Sequence, residues 1–191
     1  MPPRARTAAT CRPASSAPIR SGPAVSSDPA SGGEGAALPA RDAFEVAARV
    51  RDRGGIVVAT GGCFDLLHAG HVRALEAARA LGDCLVACLN SDASVRRIKG
   101  SDRPLVAQED RAAVLGALRC VDAVAVFDED TPEAILDRIR PDVWAKGGDY
   151  AAGDLPEAEV VARWGGRIEL LPFLEGRSST RLMQEAAARG I

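Results

Sequence analysis

Residues 56–72 read IVVATGGCFDLLHAGHV, and the change of period within this stretch decides the fold. Ile56–Thr60 is a short, β-branched apolar run, the pattern of a buried strand. From His71 the chain reads as a helix to Leu81 that stops at Gly82, a residue suited to cap a helix C-terminus. The loop between them carries both histidines of the protein, His68 and His71, three apart across Gly70. Backbone N–H groups and the helix dipole favour an anion at a helix N-terminus, so two imidazoles placed there point to phosphate chemistry. Gly70 has no side chain and lets a phosphate come close. The stretch is not a P-loop, because no Gly-Lys-Ser/Thr follows the glycines, nor is it the GxGxxG dinucleotide fingerprint. The plainer alternative is a pair of surface or capping histidines; the preceding strand, the spacing and the glycine weigh against it.

Outward from this unit the chain alternates. Arg41–Arg53 reads as a helix ending at Gly54-Gly55, and Cys84–Asn90 is the next apolar strand. Gln108–Leu118 is helical and Val121–Phe127 a strand. Thr131 is a good N-cap with Pro132 at the first helical position of a helix that runs to Arg140. Asp142–Lys146 is a strand, Pro156–Trp164 a helix, and Ile168–Phe173 the last strand, after which Ser178 opens a closing helix. Five apolar strands separated by helices predict an α/β fold, a Rossmann-like three-layer sandwich around a five-stranded parallel sheet. In such sheets ligands sit beyond the carboxyl ends of the strands, where strand order reverses.

Composition bounds the function. The 191 residues suit one domain plus an appendage, and 47% apolar with 26% charged residues is ordinary for a globular protein with a core. A net charge of −2 and only 4% aromatics argue against a nucleic-acid binder. The five cysteines form no CxxC pair and read as reduced thiols in a cytoplasmic protein, with no metal site expected. No apolar run approaches the roughly 20 residues of a membrane helix. Residues 1–38 are rich in Pro, Ala, Ser, Gly and Arg without apolar periodicity, which predicts a disordered N-terminal tail before a domain over 39–191. A transit peptide is a sharper reading of the same composition.

Three further loops bear on a phosphate site. SVRRIKG with SDRP, residues 94–104, reads as a basic loop after the second strand, with Lys99 and then Arg103 the best candidates to hold a phosphate. KGGDY, residues 146–150, ends the fourth strand; Lys146 is a further cation, Gly147 lets backbone approach a ligand, and Asp149 is suited to bond a hydroxyl or base. SSTRL, residues 178–182, sets Ser178, Ser179 and Thr180 at a helix mouth, where hydroxyls and unbonded N–H groups bind phosphate oxygens. The alternatives are a solvated basic loop, a simple Gly-Gly-Asp turn and ordinary helix capping.

GCFDLLHAGHV resembles the HxGH signature of the cytidylyltransferase-like nucleotidyltransferases, and SSTRL resembles the second signature of that superfamily. The resemblance implies that His68 and His71 contact the phosphates and stabilise the transition state at the α-phosphorus. It places Cys63 and Phe64 along the nucleotide and Asp65 at an acidic position of the pattern, unless Asp65 only forms a turn. Arg111 matches an arginine that faces the triphosphate, with a surface salt bridge as its alternative. Read with LNSDASVRRIKG, FDEDTPE, RPDVWAKGGDY and LPFLEGRSST, the chain looks like the D-glycero-β-D-manno-heptose 1-phosphate adenylyltransferases, the adenylyltransferase half of ADP-heptose synthase. Its departures from that pattern are Gly61-Gly62, where Asn-Gly is usual, and Trp144 within the fourth strand.

That family implies ATP and a sugar 1-phosphate as substrates, ADP-heptose and pyrophosphate as products, and Mg²⁺ delivered with ATP. It further implies no nucleic-acid or membrane partner and a possible homodimer. The domain is often fused to a sugar kinase, a segment not expected in this chain. The runner-up is a glycerol-3-phosphate cytidylyltransferase, which typically has Arg-Thr before Glu-Gly where this chain has Phe173-Leu174, and which usually lacks the lysine and paired glycines of KGGDY. A non-catalytic nucleotide-binding module is the reading from another class, disfavoured because both histidines and the hydroxyl motif are present.

Overall fold

A computed structural model describes residues 41–147, 155–171 and 179–190 of the chain. The expected tail over residues 1–38 lies outside the described residues. So do Asp149 and Ser178, the end of the expected last strand, and the side chain of Thr180.

The elements follow in the order α1 (Ala43–Asp52), β1 (Val57–Gly62), α2 (Ala69–Arg79), β2 (Cys84–Asn90), α3 (Asp92–Lys99) and α4 (Gln108–Gly116). Then come β3 (Ala123–Phe127), α5 (Glu133–Ile139), β4 (Val143–Gly147), α6 (Glu157–Ala162), β5 (Arg167–Leu171) and α7 (Ser179–Ala188). The five strands pair in parallel in the order β3-β2-β1-β4-β5. The chain winds outward from β1 through β2 to β3 and then resumes on the other side of β1 with β4, so strand order reverses between β1 and β4. The expected Rossmann-like sandwich is what the chain forms.

Strands buried on both faces carry apolar side chains at successive positions, and β1 does so. Val57 and Ala59 join the core packed with Ala47 of α1, Leu136 of α5 and Val161 of α6. Val58 between them joins the opposite core, with Leu75 of α2 and Leu115 of α4. Two apolar layers of this kind hold the sheet edge above them rigid enough to carry a site.

Several boundaries differ from the reading of the sequence. β1 does not end at Thr60 but pairs on to Gly62, opposite Leu89 of β2. α2 starts at Ala69, ahead of His71, because the His68 imidazole serves as its N-cap. The segment expected as a basic loop is largely helix α3. Ser91 caps it by accepting from the Ser94 amide, Asp92 sits in its first turn, and Gly100 at φ 103° ends it. It was illegible by apolar periodicity because its eight residues bury only Ser94 and Val95. α5 begins at Glu133 after Pro132, with no side-chain cap from Thr131.

Gly82 does not cap α2 as the sequence suggested, and it lacks the positive φ of such a cap, but it is needed for another reason. The α2 cap residue is the αR residue Ala80, and a Cβ on Gly82 would lie 2.6 Å from Val58 Cγ2 and 2.7 Å from the Ile56 carbonyl. The glycine lets the helix exit cross β1 closely. Gly82→Ala should therefore lower unfolding free energy by about 1–3 kcal/mol through overpacking. Urea denaturation checks this, and a change below about 0.5 kcal/mol, the scale of an ordinary surface substitution, would contradict the close approach.

Candidate active site

Beyond the glycine ends of β1 and β4 lies an open cavity of about 520 Å³. Its position at the point where strand order reverses is the one expected of a ligand crevice in an open parallel sheet.

The first wall is the loop that leaves β1. Phe64 adopts φ 46°, a left-handed conformation uncommon for a bulky residue. This turns its ring inward, where it is buried and lies 5.4 Å from the His71 ring, tilted by 57°. His68 and His71 stack at 4.0 Å between ring centroids with an interplanar angle of 28°. His68 Nδ1 accepts a hydrogen bond from the Gly70 amide at 3.1 Å. An imidazole nitrogen that accepts carries no proton, so in neutral His68 the proton resides on Nε2. His71 Nδ1 is buried without a partner among the described residues, and burial first, then the neighbouring His68, lowers its pKa to about 4. His71 is thus a neutral imidazole at physiological pH, set in the first turn of α2.

The next residue of the loop is fully engaged. Asp65 is buried and accepts from Arg103 Nε at 2.5 Å, the Leu105 amide at 2.8 Å and the Val106 amide at 3.0 Å. It fastens the segment after α3 over the β1 loop, a larger role than forming a turn. Arg103, anchored in this way, lines the cavity, as do Cys63 and Asp65. The Cys63 thiol is pushed up in pKa by burial, opposed by the positive charges of Lys99, Arg111 and Arg103. Those opposing charges mark the loop as electropositive. Lys99, at the last turn of α3, is exposed at the cavity wall.

Arg111 corrects both sequence readings. Its side chain is 1% exposed and is neither a surface salt bridge nor turned to a triphosphate. Nη1 donates to the Cys63 carbonyl at 2.5 Å and the Asn90 carbonyl at 2.9 Å; Nε donates to the Val106 carbonyl at 2.9 Å and Nη2 to Asp92 at 2.7 Å. The guanidinium joins the carboxyl ends of β1 and β2 to the start of α3 and the approach to α4.

On the β4 side, Lys146 and Gly147 line the cavity. Lys146 Nζ lies 2.5 Å from Glu157 Oε1, whose carboxylate is buried at the start of α6. Sequence reading missed Glu157, since an acid in a first helical turn is unremarkable and its partner is 11 residues earlier. A Cβ on Gly147 would meet nothing within 4 Å among the described residues. Ser179, at the start of α7, lines the cavity and its hydroxyl donates to the Leu66 carbonyl at 3.2 Å. Trp144, absent from the predicted site, is a further wall residue.

The His71 environment sets a pH dependence. The unfolded chain binds a proton near the ordinary value of 6.5, whereas folded His71 stays neutral down to about 4. The unfolded state therefore holds more protons between these values, and stability rises with pH across that window. This group's contribution is complete above about pH 6.5 and is lost as pH falls toward 4. Denaturant unfolding at several pH values should show a steeper acid decline for the wild type than for His71→Asn. Equal slopes would contradict the burial of a neutral imidazole.

The surrounding matches agree with this geometry. The cytidylyltransferase-like family model matches residues 59–181, which span the histidine loop, the cavity and the start of α7. The chain is 65% identical over 153 residues, 80% of its length, to the bifunctional protein HldE of Streptomyces coelicolor, covering 33% of that protein. It is 51% identical over 149 residues to the bifunctional protein HldE of Syntrophotalea carbinolica, covering 78% of this chain and 30% of that protein. The chain thus spans about a third of the length of these curated relatives. A crystal structure of the lipopolysaccharide core biosynthesis protein from Thermoplasma volcanium superposes with a TM-score of 0.53 at 28% identity, covering 65% of this chain and 100% of that one. A match over well more than half the chain, the stacked histidines included, settles its membership: the chain belongs to the cytidylyltransferase-like family.

Proposed function

We propose that the protein is a nucleotidyltransferase that moves AMP from ATP onto a sugar 1-phosphate, D-glycero-β-D-manno-heptose 1-phosphate, releasing pyrophosphate and forming ADP-heptose. The observation that carries this reading is the stacked His68–His71 pair at the N-terminus of α2, inside a cavity that Lys99, Arg103 and Lys146 also line. The identity to proteins named HldE supports the choice of acceptor.

An oxygen of the acceptor phosphate attacks the α-phosphorus of ATP as the bond to pyrophosphate breaks. The acceptor phosphate is already an anion at neutral pH, so no protein nucleophile is required. The residues position two anions and stabilise charge on the α-phosphate. With Nδ1 accepting from the Gly70 amide, His68 presents its Nε2 proton, and the first amides of α2 add donors aligned with the helix dipole. His71 reaches a ligand through Nε2, because its Nδ1 is enclosed. The cations offset repulsion between the triphosphate and the acceptor.

The cavity is lined by imidazoles, cations, hydroxyls and two carboxylates, and of the carboxylates Asp65 is taken by three protein donors and Asp130 is paired with Arg97. That set suits a Mg²⁺ ion that arrives with ATP and is held mainly by its phosphates. Among the described residues no helix is long and apolar enough to cross a membrane; the reading places the reaction in the cytoplasm.

Pyrophosphate release from ATP and from CTP, measured with a panel of sugar 1-phosphates and with glycerol 3-phosphate, tests this function. ATP with heptose 1-phosphate should give the highest kcat/KM. A preference for CTP with glycerol 3-phosphate would move the protein to a cytidylyltransferase.

A further inference from the structure

The two places where the chain departs from the heptose pattern meet in space. Gly61, next to last in β1, is partly exposed at the cavity, and a Cβ built on it would come within 2.6 Å of Trp144 Cη2 and 3.2 Å of Cζ2. Trp144 in β4 is fully buried and lines the cavity, so an added Cβ at position 61 would have to displace its ring. The indole occupies the volume that a side chain at position 61 would take.

The indole also carries an unpaired donor. Trp144 Nε1 is buried with no hydrogen-bond partner among the described residues. The chain's other tryptophan, Trp164, donates Nε1 to the Pro141 carbonyl at 2.9 Å. Buried polar groups are paired in the great majority of cases, and an orphan at a cavity wall requires an explanation. Two residues along the same strand, Lys146 Nζ lies 5.9 Å from the Trp144 ring centroid and is held by Glu157. A cation and a neutral donor therefore stand side by side on β4. They lie across the cavity from the α2 side, because Trp144 belongs to the core on the α1, α5 and α6 face of the sheet.

The geometry points to Trp144 as a specificity-determining residue for the sugar end of the acceptor, with Gly61 making room for its ring. Lys146 takes the acceptor phosphate, and the indole N–H donates to one hydroxyl of the adjoining sugar, directly or through one water. Glu157 is a positioning residue for Lys146. The assignment rests on the proposed transfer to a sugar 1-phosphate and adds which residues select the sugar.

The test uses the full chain with ATP and heptose 1-phosphate. Trp144→Phe keeps a ring in place and deletes the N–H. It should raise KM for the sugar phosphate roughly five- to tenfold, as loss of one neutral hydrogen bond implies, and leave KM for ATP within about twofold. Among mono-deoxy sugar 1-phosphates, one should bind wild type and Trp144→Phe equally well, since its missing hydroxyl is the partner. Gly61→Ala should raise the same KM by displacing the ring, and adding Trp144→Phe should raise it little further, because the displaced N–H is already lost to the sugar. An unchanged sugar-phosphate KM in Trp144→Phe, or an equal rise for ATP, overturns the assignment while leaving the transferase reading intact. Absence of wild-type turnover with every sugar 1-phosphate overturns both.

Discussion

The buried guanidinium of Arg111 is the constraint on which the site depends. A charged group with almost no exposure is tolerable only if hydrogen bonds replace its lost hydration, and Arg111 finds them at the carbonyls of Cys63, Asn90 and Val106 and at Asp92. Those partners sit on four different segments, so their relative positions are set by one rigid, planar fork. Asp65 does the complementary work with a negative charge, gathering Arg103 and two amides of the same loop. Together they convert the ends of two strands into a fixed rim. Uncoupling one partner of such a buried arrangement costs about 3–5 kcal/mol, which is large against the stability of a single domain.

Within that rim the histidines are tuned by their surroundings. His68 spends Nδ1 on capping α2, and this backbone bond dictates which nitrogen keeps the proton. His71 is wedged between Phe64 and His68, and desolvation there keeps it uncharged. Neutral donors of fixed orientation suit a site where negative charge shifts between phosphates, since they need no reorganisation as the charge moves. The strained backbone of Phe64 has a function in this view: it turns the ring inward against His71.

The sheet was legible because its signal is local. β2 reads as Cys84–Asn90 from the apolar run alone, and the five-strand count follows from the same pattern. Short polar-faced elements were not, and α3 passed for a loop because its helix is announced by a serine cap rather than by apolar spacing. Side-chain roles that depend on distant partners were the least legible. Arg111 and Cys63 are 48 residues apart, and no local pattern distinguishes a buried clamp from a phosphate ligand. Gly61 and Trp144 looked like two independent departures, whereas β1–β4 pairing makes them one packing solution.

The central claim is that His68 and His71, beyond their places at the N-terminus of α2, act on charge developing at the transferred phosphate. Steady-state kinetics of His68→Ala and His71→Ala, with melting temperatures alongside, test it most directly. Each variant should remain folded and lose about 10²–10³ in kcat, the usual effect of deleting one preorganised donor, with a smaller change in KM. The double variant should lose less than the product of the two factors, because both rings serve one phosphate centre. Near-normal kcat in both single variants would make the histidines structural and contradict the account.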